Sequence, residues 1–273
     1  MRDSAPKLTH RWGGGAGGLD RIRQGCRVEV VTEIWQRATA VQPPPRPQVV
    51  GVIAVIGLVL VLFRRTWPVT RLLVTITHEG AHAVAALVVG RRLTAIHLNS
   101  DTSGLTVSRG KARGPGMIIM LAVGYLGPAL AGLAAAALLA AGHSIGLLWL
   151  LVLLLSLMLL LIRNAYGLLV LLVAGASVFA ISWYLDPVWQ SAVAYLITWI
   201  LLIAAPKPVI ELMMQRRRGA DRSSDVAQLA ALTRIPGGVW SVLFLLCSLA
   251  GLALGTAVLL PSLIALFEPM FSG

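Results

Sequence analysis

Long apolar runs, separated by short polar segments, fill the chain from about residue 49 onward. A helix that crosses the hydrocarbon core of a bilayer needs roughly 20 mostly apolar residues. Seven runs are candidates: Val49–Phe63, Pro68–Val89, Gly116–Ala141, Ile145–Ile162, Tyr166–Leu185, Val188–Ala205 and Gly238–Phe267. The pattern predicts an all-α polytopic membrane protein with about six to seven transmembrane helices, of which the short first one could instead re-enter the membrane.

The residues before the first apolar run have a different character. Gly13–Gly18 is typical of a flexible linker, Val28–Ala38 of a short amphipathic helix, and Pro43-Pro44-Pro45 of a stiff stop before the membrane. We therefore divide the chain into a partly disordered N-terminal segment, residues 1–48, and a membrane domain, residues 49–273.

The composition agrees with a bilayer as the main environment. Hydrophobic residues make up 57% of the chain and charged residues 12%, with a mean hydropathy of +0.82, which is unusual for a soluble domain. The net charge of +12 would suit a nucleic-acid ligand, but the basic residues lie between apolar runs and not on one soluble face. We expect the lipid bilayer as a partner and no nucleic acid.

The distribution of Lys and Arg predicts the orientation, because cytoplasmic loops are enriched in these residues. If all seven runs span, only Arg64, Arg65 and Arg71 of the 23 Lys and Arg residues lie on or near the outer side. This predicts a multi-pass protein of the plasma membrane whose N-terminus and two long polar loops, at about 90–115 and 206–236, are cytoplasmic. A re-entrant first run would reverse everything that follows it.

Residues Leu93 to Ser108 alternate apolar and polar side chains around the turn Asn99-Ser100-Asp101-Thr102-Ser103-Gly104. Alternation with period two around a Gly-containing turn is typical of a β-hairpin. We expect a short cytoplasmic hairpin whose exposed edge could hold an unwound strand through main-chain hydrogen bonds. A plain connecting loop is the alternative.

The candidate chemistry lies in the second apolar run, in the segment His78-Glu79-Gly80-Ala81-His82. Residues four apart on a helix share a face, so the two imidazoles can reach one metal ion. Glu79 lies beside them and is free to act as a general base toward water at a Zn²⁺ ion. The pattern predicts His78 and His82 as zinc ligands and Glu79 as the catalytic residue.

The alternative is that these polar residues only pack in a core. An ionisable group at the centre of a membrane helix costs about 2.5–3.5 kcal/mol on insertion scales, and this segment has three such groups within five residues. A cost of that size favours a functional site.

A catalytic zinc ion usually has three protein ligands, and we assign the third to Asp225. Ser223 or Ser224 can cap a helix that begins there, and the apolar residues that follow would let this helix dip among the spans. An ordinary first-turn aspartate, favoured by the helix dipole, is the alternative explanation.

Two further residues are candidates for substrate binding. Asp101 lies in the turn of the predicted hairpin, where hydrogen bonds to its own backbone are the simpler explanation. Asn164 lies at a helix boundary next to Arg163, and its amide could donate to a substrate carbonyl.

These segments together resemble the site-2 protease family of intramembrane zinc metallopeptidases, in its B-like branch. The resemblance covers about Trp35 to Leu246. It rests on Thr77-His78-Glu79-Gly80-Ala81-His82-Ala83, Gly90-Arg91-Arg92, Asp101-Thr102-Ser103-Gly104, Gly124-Tyr125-Leu126-Gly127-Pro128, Arg163-Asn164 and Ser224-Asp225-Val226-Ala227-Gln228-Leu229. Better-known members carry the third ligand in an Asn-Pro-x-x-x-x-Asp-Gly type of segment, and here Ser224-Asp225 stands in its place.

The resemblance implies a zinc metalloendopeptidase that hydrolyses peptide bonds of membrane-embedded substrates, with residues 49–273 as its transmembrane domain. The substrates it implies are single-pass membrane proteins, often anti-sigma factors, or remnant signal peptides. An inactive membrane scaffold that kept the metal-site helix is the main alternative. A transporter that uses the His and Glu cluster as a relay is the second, but no internal repeat supports it.

Overall fold

The computed structural model describes Glu29 and residues 32–219 and 223–261, and most of this part is helical. The predicted linker Gly13–Gly18 and residues 262–267 of the last apolar run lie outside it. In chain order the elements are α1 (residues 32–39), α2 (Pro47–Leu62), α3 (Trp67–Val88), β1 (Arg92–Leu98), β2 (Gly104–Arg109), α4 (Pro115–Ala140), α5 (Ser144–Leu159), α6 (Ala165–Tyr184), α7 (Pro187–Ala204), α8 (Pro206–Arg217), α9 (Asp225–Thr233) and α10 (Gly237–Leu259).

Each predicted apolar run coincides with a helix, but fewer of these helices could span a membrane alone. Four are long and apolar enough: α4, α6, α10, and α7 with α8 as one helix of 31 residues. Helices α2 and α3 pass only as a pair, and α5 has 16 residues. Length and composition thus support four or five spans, and the count of six to seven stays a prediction.

The junction of α2 and α3 is a sharp elbow of 98°, and α8 holds it in place. The Trp67 indole donates to Glu211 Oε1 at 2.9 Å, and Arg71 Nη1 lies 3.3 Å from Glu211 Oε2. Lys207 Nζ donates to the carbonyl of Val61 at 2.7 Å and lies 3.8 Å from the centre of the Trp67 ring. The elbow therefore lies beside the start of α8.

The residues before α2 lie at the end of the bundle where α4 is connected to α5 and where α7 begins. The amide of Gln42 donates to the carbonyl of Gly142 at 2.8 Å, and its side-chain oxygen accepts from Ser144 at 3.1 Å. Ser144 in turn lies 2.7 Å from Ser191 of α7. The end of the bundle that carries the two strands, α8 and α9 is called the hairpin end. The end that carries Gln42, Gly142 and Ser144 is called the opposite end.

The path of α2 and α3 determines at which end of the bundle each polar segment lies. Helix α2 runs from the opposite end toward the hairpin end, where the elbow contacts α8. Helix α3 ends beside the start of α4, since a Cβ added to Gly116 would lie 3.4 Å from Val89. Residues 40–46 and the loop that precedes α4 therefore lie at opposite ends of α4, as the alternative of a re-entrant first run implies. The side of the membrane on which each segment lies stays a prediction.

The predicted hairpin is present. Strands β1 and β2 pair in antiparallel fashion with Ile96 opposite Thr106. A second neighbour lies along β1, because the Ile96 amide donates to the carbonyl of Leu161 at 2.9 Å and the Arg163 amide donates to the carbonyl of Ile96 at 3.0 Å. Strand β2 has β1 as its single strand partner in the described ranges. Its outer edge is therefore open.

Candidate metal centre

Three side chains from two distant parts of the chain converge between α3 and α9. His78 Nε2 and His82 Nε2 each lie 3.1 Å from Asp225 Oδ2 and 3.1 Å from each other. The histidines lie on one face of α3, as their spacing predicted, and His82 is 5% exposed. The described residues contain this one group that could hold a metal ion.

A main-chain carbonyl sets the tautomer of His82. The ring atom Nδ1 lies 2.7 Å from the carbonyl oxygen of Met120. A carbonyl can only accept, so Nδ1 carries the proton, and in the neutral ring Nε2 presents a lone pair. A hydrogen bond of this kind to the remote nitrogen is how proteins orient metal-ligating histidines.

The separations suit a tetrahedral zinc ion. With zinc to ligand distances of about 2.0–2.1 Å, two ligands of a tetrahedral ion lie about 3.3 Å apart, close to the 3.1 Å that separates each pair here. Two imidazole nitrogens and a carboxylate oxygen also form a common catalytic donor set with one position left for water or substrate.

Asp225 reaches the histidines because it begins a capped helix. Ser224 is the N-cap of α9, and its Oγ accepts from the amide of Ala227 at 3.1 Å. Val226 and Leu229 are fully buried, so the helix is anchored by its apolar side. Burial raises the pKa of the Asp225 carboxyl, but hydrogen bonds with His78 and His82 outweigh burial and hold that pKa below its usual range. The carboxyl is therefore an anion, the form that binds a cation.

Helix α4 approaches the centre closely because Gly124 has no side chain. A Cβ at this position would collide with the His82 imidazole and lie 2.7 Å from Cε1 of His78. The next residue, Tyr125, packs against the edge of the His78 ring with centroids 5.0 Å apart, and Phe244 of α10 stacks on Tyr125. Three helices thus restrict the two imidazoles.

The hairpin lies directly over Glu79, whose side chain is 3% exposed. Thr106 Oγ1 of β2 donates to Glu79 Oε2 at 2.6 Å. A Cβ on Gly104 would lie 2.7 Å from the carboxyl carbon of Glu79 and would collide with its other oxygen, Oε1. Thr75 adds a third contact, as its hydroxyl donates to the carbonyl of Thr102 at 2.8 Å. The acidic side chain is therefore held between α3 and the first half of β2.

A family model described as Peptidase M50B-like matches residues 51–255. The chain belongs to the Peptidase M50B-like family. The match includes both histidines, Glu79 and Asp225, and it confirms the resemblance drawn from the motifs. Comparison of the chain with curated proteins and with solved structures found no match.

Membership of this family supports a metallopeptidase, and several apolar helices support a multi-pass membrane protein. Peptidases of this family are zinc-dependent, and His78, His82 and Asp225 form a group that could hold the ion. The roles of these residues in this chain stay predictions.

Asp101 lies in the turn between the strands, apart from the metal-binding group. Its Oδ1 accepts from the amide of Ser103 at 3.0 Å and from the hydroxyl of Ser103 at 2.6 Å. These bonds lower the pKa of the Asp101 carboxyl. The contacts are those of a turn aspartate, and a substrate contact stays a prediction.

Asn164 pairs with the main chain of β1. Its Nδ2 donates to the carbonyl of Leu98 at 2.5 Å, and its Oδ1 accepts from the Leu98 amide at 3.2 Å. The amide group therefore extends the pairing of residues 161–163 with β1. In this position Asn164 holds the hairpin, and its predicted contact with a substrate carbonyl stays a prediction.

The sequence reasoning missed the residues that surround the predicted ones. Thr106 and Gly104 could have been found from the alternation of β2, since they share one face and Leu105 and Val107 share the other. Gly124 lay in a motif that was recognised but given no role. The Met120 carbonyl carries no signal in the sequence, because every residue has one.

Proposed function

We propose that this protein is an intramembrane zinc metalloprotease in which His78, His82 and Asp225 hold the ion and Glu79 is the general base. The observation that carries the proposal is the convergence of three ligand atoms, each pair 3.1 Å apart. When bound, zinc supplies a Lewis acid that polarises a carbonyl group. The residues around the ion supply the remaining functions.

The surroundings of Glu79 suit proton transfer. The Thr106 hydroxyl occupies Oε2, which fixes the orientation of the carboxylate. The second oxygen, Oε1, packs against Gly104, where a side chain would collide with it. In this proposal Oε1 accepts a proton from the attacking water and returns it to the leaving amine, which is the ordinary cycle of a general base.

The outer edge of β2 is the proposed binding site for the substrate main chain. It has no strand partner among the described residues, and an open edge can pair with an extended segment. Leu105 is 57% exposed on the face that points away from Glu79. A segment paired with β2 near Thr106 would lie beside Glu79, so the scissile bond would come close to the base.

We infer that the substrates are membrane-embedded segments of single-pass proteins, such as anti-sigma factors or remnant signal peptides. The exposed side chains of Val84, Leu87 and Val88 in the last turns of α3 present an apolar surface next to the hairpin. Such a surface suits a segment that enters from the bilayer and unwinds at the β2 edge.

We further propose that the hairpin end is cytoplasmic and that the membrane is the plasma membrane. Of the described Lys and Arg residues, Arg37 and Arg46 precede α2, while the others lie in the elbow, near the hairpin or in the α8 to α10 region. Cytoplasmic segments are enriched in these residues. In a chain without its two cysteines, a cysteine placed at Ser103 should resist a membrane-impermeant reagent added outside intact cells, and one at Val41 should react; the reverse result would contradict this orientation.

The test of catalysis is Glu79→Gln in purified protein. The amide keeps the shape of the side chain but cannot act as the base, so zinc content should stay unchanged and cleavage of a single-pass reporter should be lost. Glu33→Gln, the same change in α1, is the matched control and should cleave normally. Normal cleavage by Glu79→Gln would refute the proposal, and a wild-type protein that binds zinc but cleaves no membrane reporter would support the inactive scaffold.

A further inference from the structure

Four basic side chains gather at the open base of the hairpin. Arg92 begins β1 and Arg109 ends β2, and the register places them directly opposite each other. Lys111 and Arg113 follow within four residues of Arg109. All four are exposed. We call these residues the hairpin-base cations.

The hairpin-base cations have no acidic partner in the described part of the chain. The Lys and Arg ion pairs in that part are Arg37 with Glu33 and Arg71 with Glu211. Like charges directly opposite each other destabilise a strand pair, so the facing arginines Arg92 and Arg109 oppose the pairing that closes the hairpin. An anion between them would remove this repulsion.

The neighbouring Arg91 differs from the hairpin-base cations, because its side chain is hydrogen-bonded to the protein. Its Nε donates to the hydroxyl of Ser108 at 2.9 Å and its Nη1 donates to the carbonyl of Lys111 at 2.5 Å. Arg91 thus folds against the chain and closes the loop. The hairpin-base cations have no such hydrogen bonds from their side chains among those that the structure shows, and they are free to bind a ligand.

The hairpin-base cations lie just beyond the ends of two apolar helices, where lipid headgroups are expected. Arg113 lies two residues before α4, a helix of 26 residues that is apolar enough to span the bilayer. Arg92 lies four residues after Val88, which is 79% exposed at the end of α3. The apolar helices α3 and α4 therefore border the cations on both sides in the chain.

We propose that the hairpin-base cations bind the phosphate-bearing headgroup of an anionic phospholipid, and that this headgroup stabilises the hairpin over Glu79. Arginine side chains bind phosphate oxygens through paired hydrogen bonds, and an anionic headgroup would neutralise the repulsion between Arg92 and Arg109. A more stable hairpin would also stabilise the position of Glu79, because Thr106, three residues before Arg109 in β2, donates a hydrogen bond to the Glu79 carboxylate.

The effect on activity rests on the proposed function, but the lipid site is tested independently of it. Binding is measured in the Glu79→Gln protein, as its affinity for phosphatidylglycerol titrated into mixed micelles. A hydrogen bond to a charged group strengthens binding about tenfold or more, so Arg92→Gln with Arg109→Gln should weaken binding of the headgroup about a hundredfold. The matched control, Arg64→Gln with Arg65→Gln, removes the same charge from the elbow and should change it less than twofold.

The activity arm compares cleavage of one reporter in vesicles of phosphatidylcholine alone and with added phosphatidylglycerol. The wild type and the elbow control should cleave faster with the anionic lipid, and the Arg92→Gln, Arg109→Gln protein should lose this gain while it keeps its zinc. Arg92→Lys with Arg109→Lys, which retains the charge, should recover part of the gain. If both double glutamine variants lost lipid binding equally, the lipid would be held by general charge attraction without a specific site, and the proposal would be overturned. Unchanged lipid binding by the Arg92→Gln, Arg109→Gln protein would also overturn it.

Discussion

Gly124→Ala is the most direct test of how closely α4 approaches the metal centre. The added methyl group would overlap the His82 imidazole and lie 2.7 Å from Cε1 of His78, whereas carbon atoms in contact lie about 3.5–4.0 Å apart. To relieve the overlap, α4 must move away or the imidazoles must turn. The His82 ring cannot turn freely, because its Nδ1 is hydrogen-bonded to the carbonyl of Met120, which is also in α4.

Either movement separates the three ligand atoms. Overpacking of this kind costs about 1–3 kcal/mol, and if that cost falls on the metal-bound geometry, zinc affinity drops about fivefold to about a hundredfold. The assay is competition for zinc between the purified protein and a chelator of known affinity, with cleavage measured at saturating zinc.

Gly175→Ala is the matched control, because a Cβ at Gly175 of α6 would meet no atom within 4 Å. Alanine stabilises a helix by about 0.5–1 kcal/mol relative to glycine, so this control should bind zinc normally and be slightly more stable. If Gly124→Ala also binds zinc as tightly as the wild type, then α4 does not pack against the imidazoles and the described site is wrong.

Two further substitutions probe the ligand set and the base. Asp225→Ala should lose zinc, because two imidazoles alone bind the ion more weakly. Asp101→Ala removes a contact within the turn and should keep zinc. Metal analysis that gave the opposite pattern would identify Asp101 as the third ligand. Thr106→Val removes the hydroxyl that holds Glu79 and should lower kcat about tenfold to a hundredfold, as expected for a hydrogen bond to a charged group of about 1.5–3 kcal/mol. Its zinc content should not change, Thr106→Ser should restore activity, and a fully active valine variant would show that the contact is unnecessary.

Some features follow from local patterns, and the sequence alone determines them. The positions of the helices follow from the apolar runs, and the shared face of His78 and His82 follows from the spacing of a helix. The cap at Ser224 and the turn contacts of Asp101 are also local, because each involves residues within three positions along the chain. These features need no knowledge of the fold.

Local patterns do not determine how many times the chain crosses the membrane. An apolar run shows that a helix can lie in lipid, but it does not show where each end of the helix lies. The elbow at residues 63–66 depends on Glu211 and Lys207, which are 144 and 146 residues away in the chain from their contacts Trp67 and Val61. The side of the membrane on which the N-terminal segment lies therefore stays a prediction.

The centre itself combines both kinds of information. The histidine pair is local, and Asp225 could be chosen from the sequence because few carboxylates are available and its helix is apolar. Its approach to within 3.1 Å of both imidazoles, and the contact of Thr106 with Glu79, depend on how α3, α4, α9 and the hairpin pack. Contacts between residues distant in the chain form only when the whole bundle closes, so only the tertiary structure decides them.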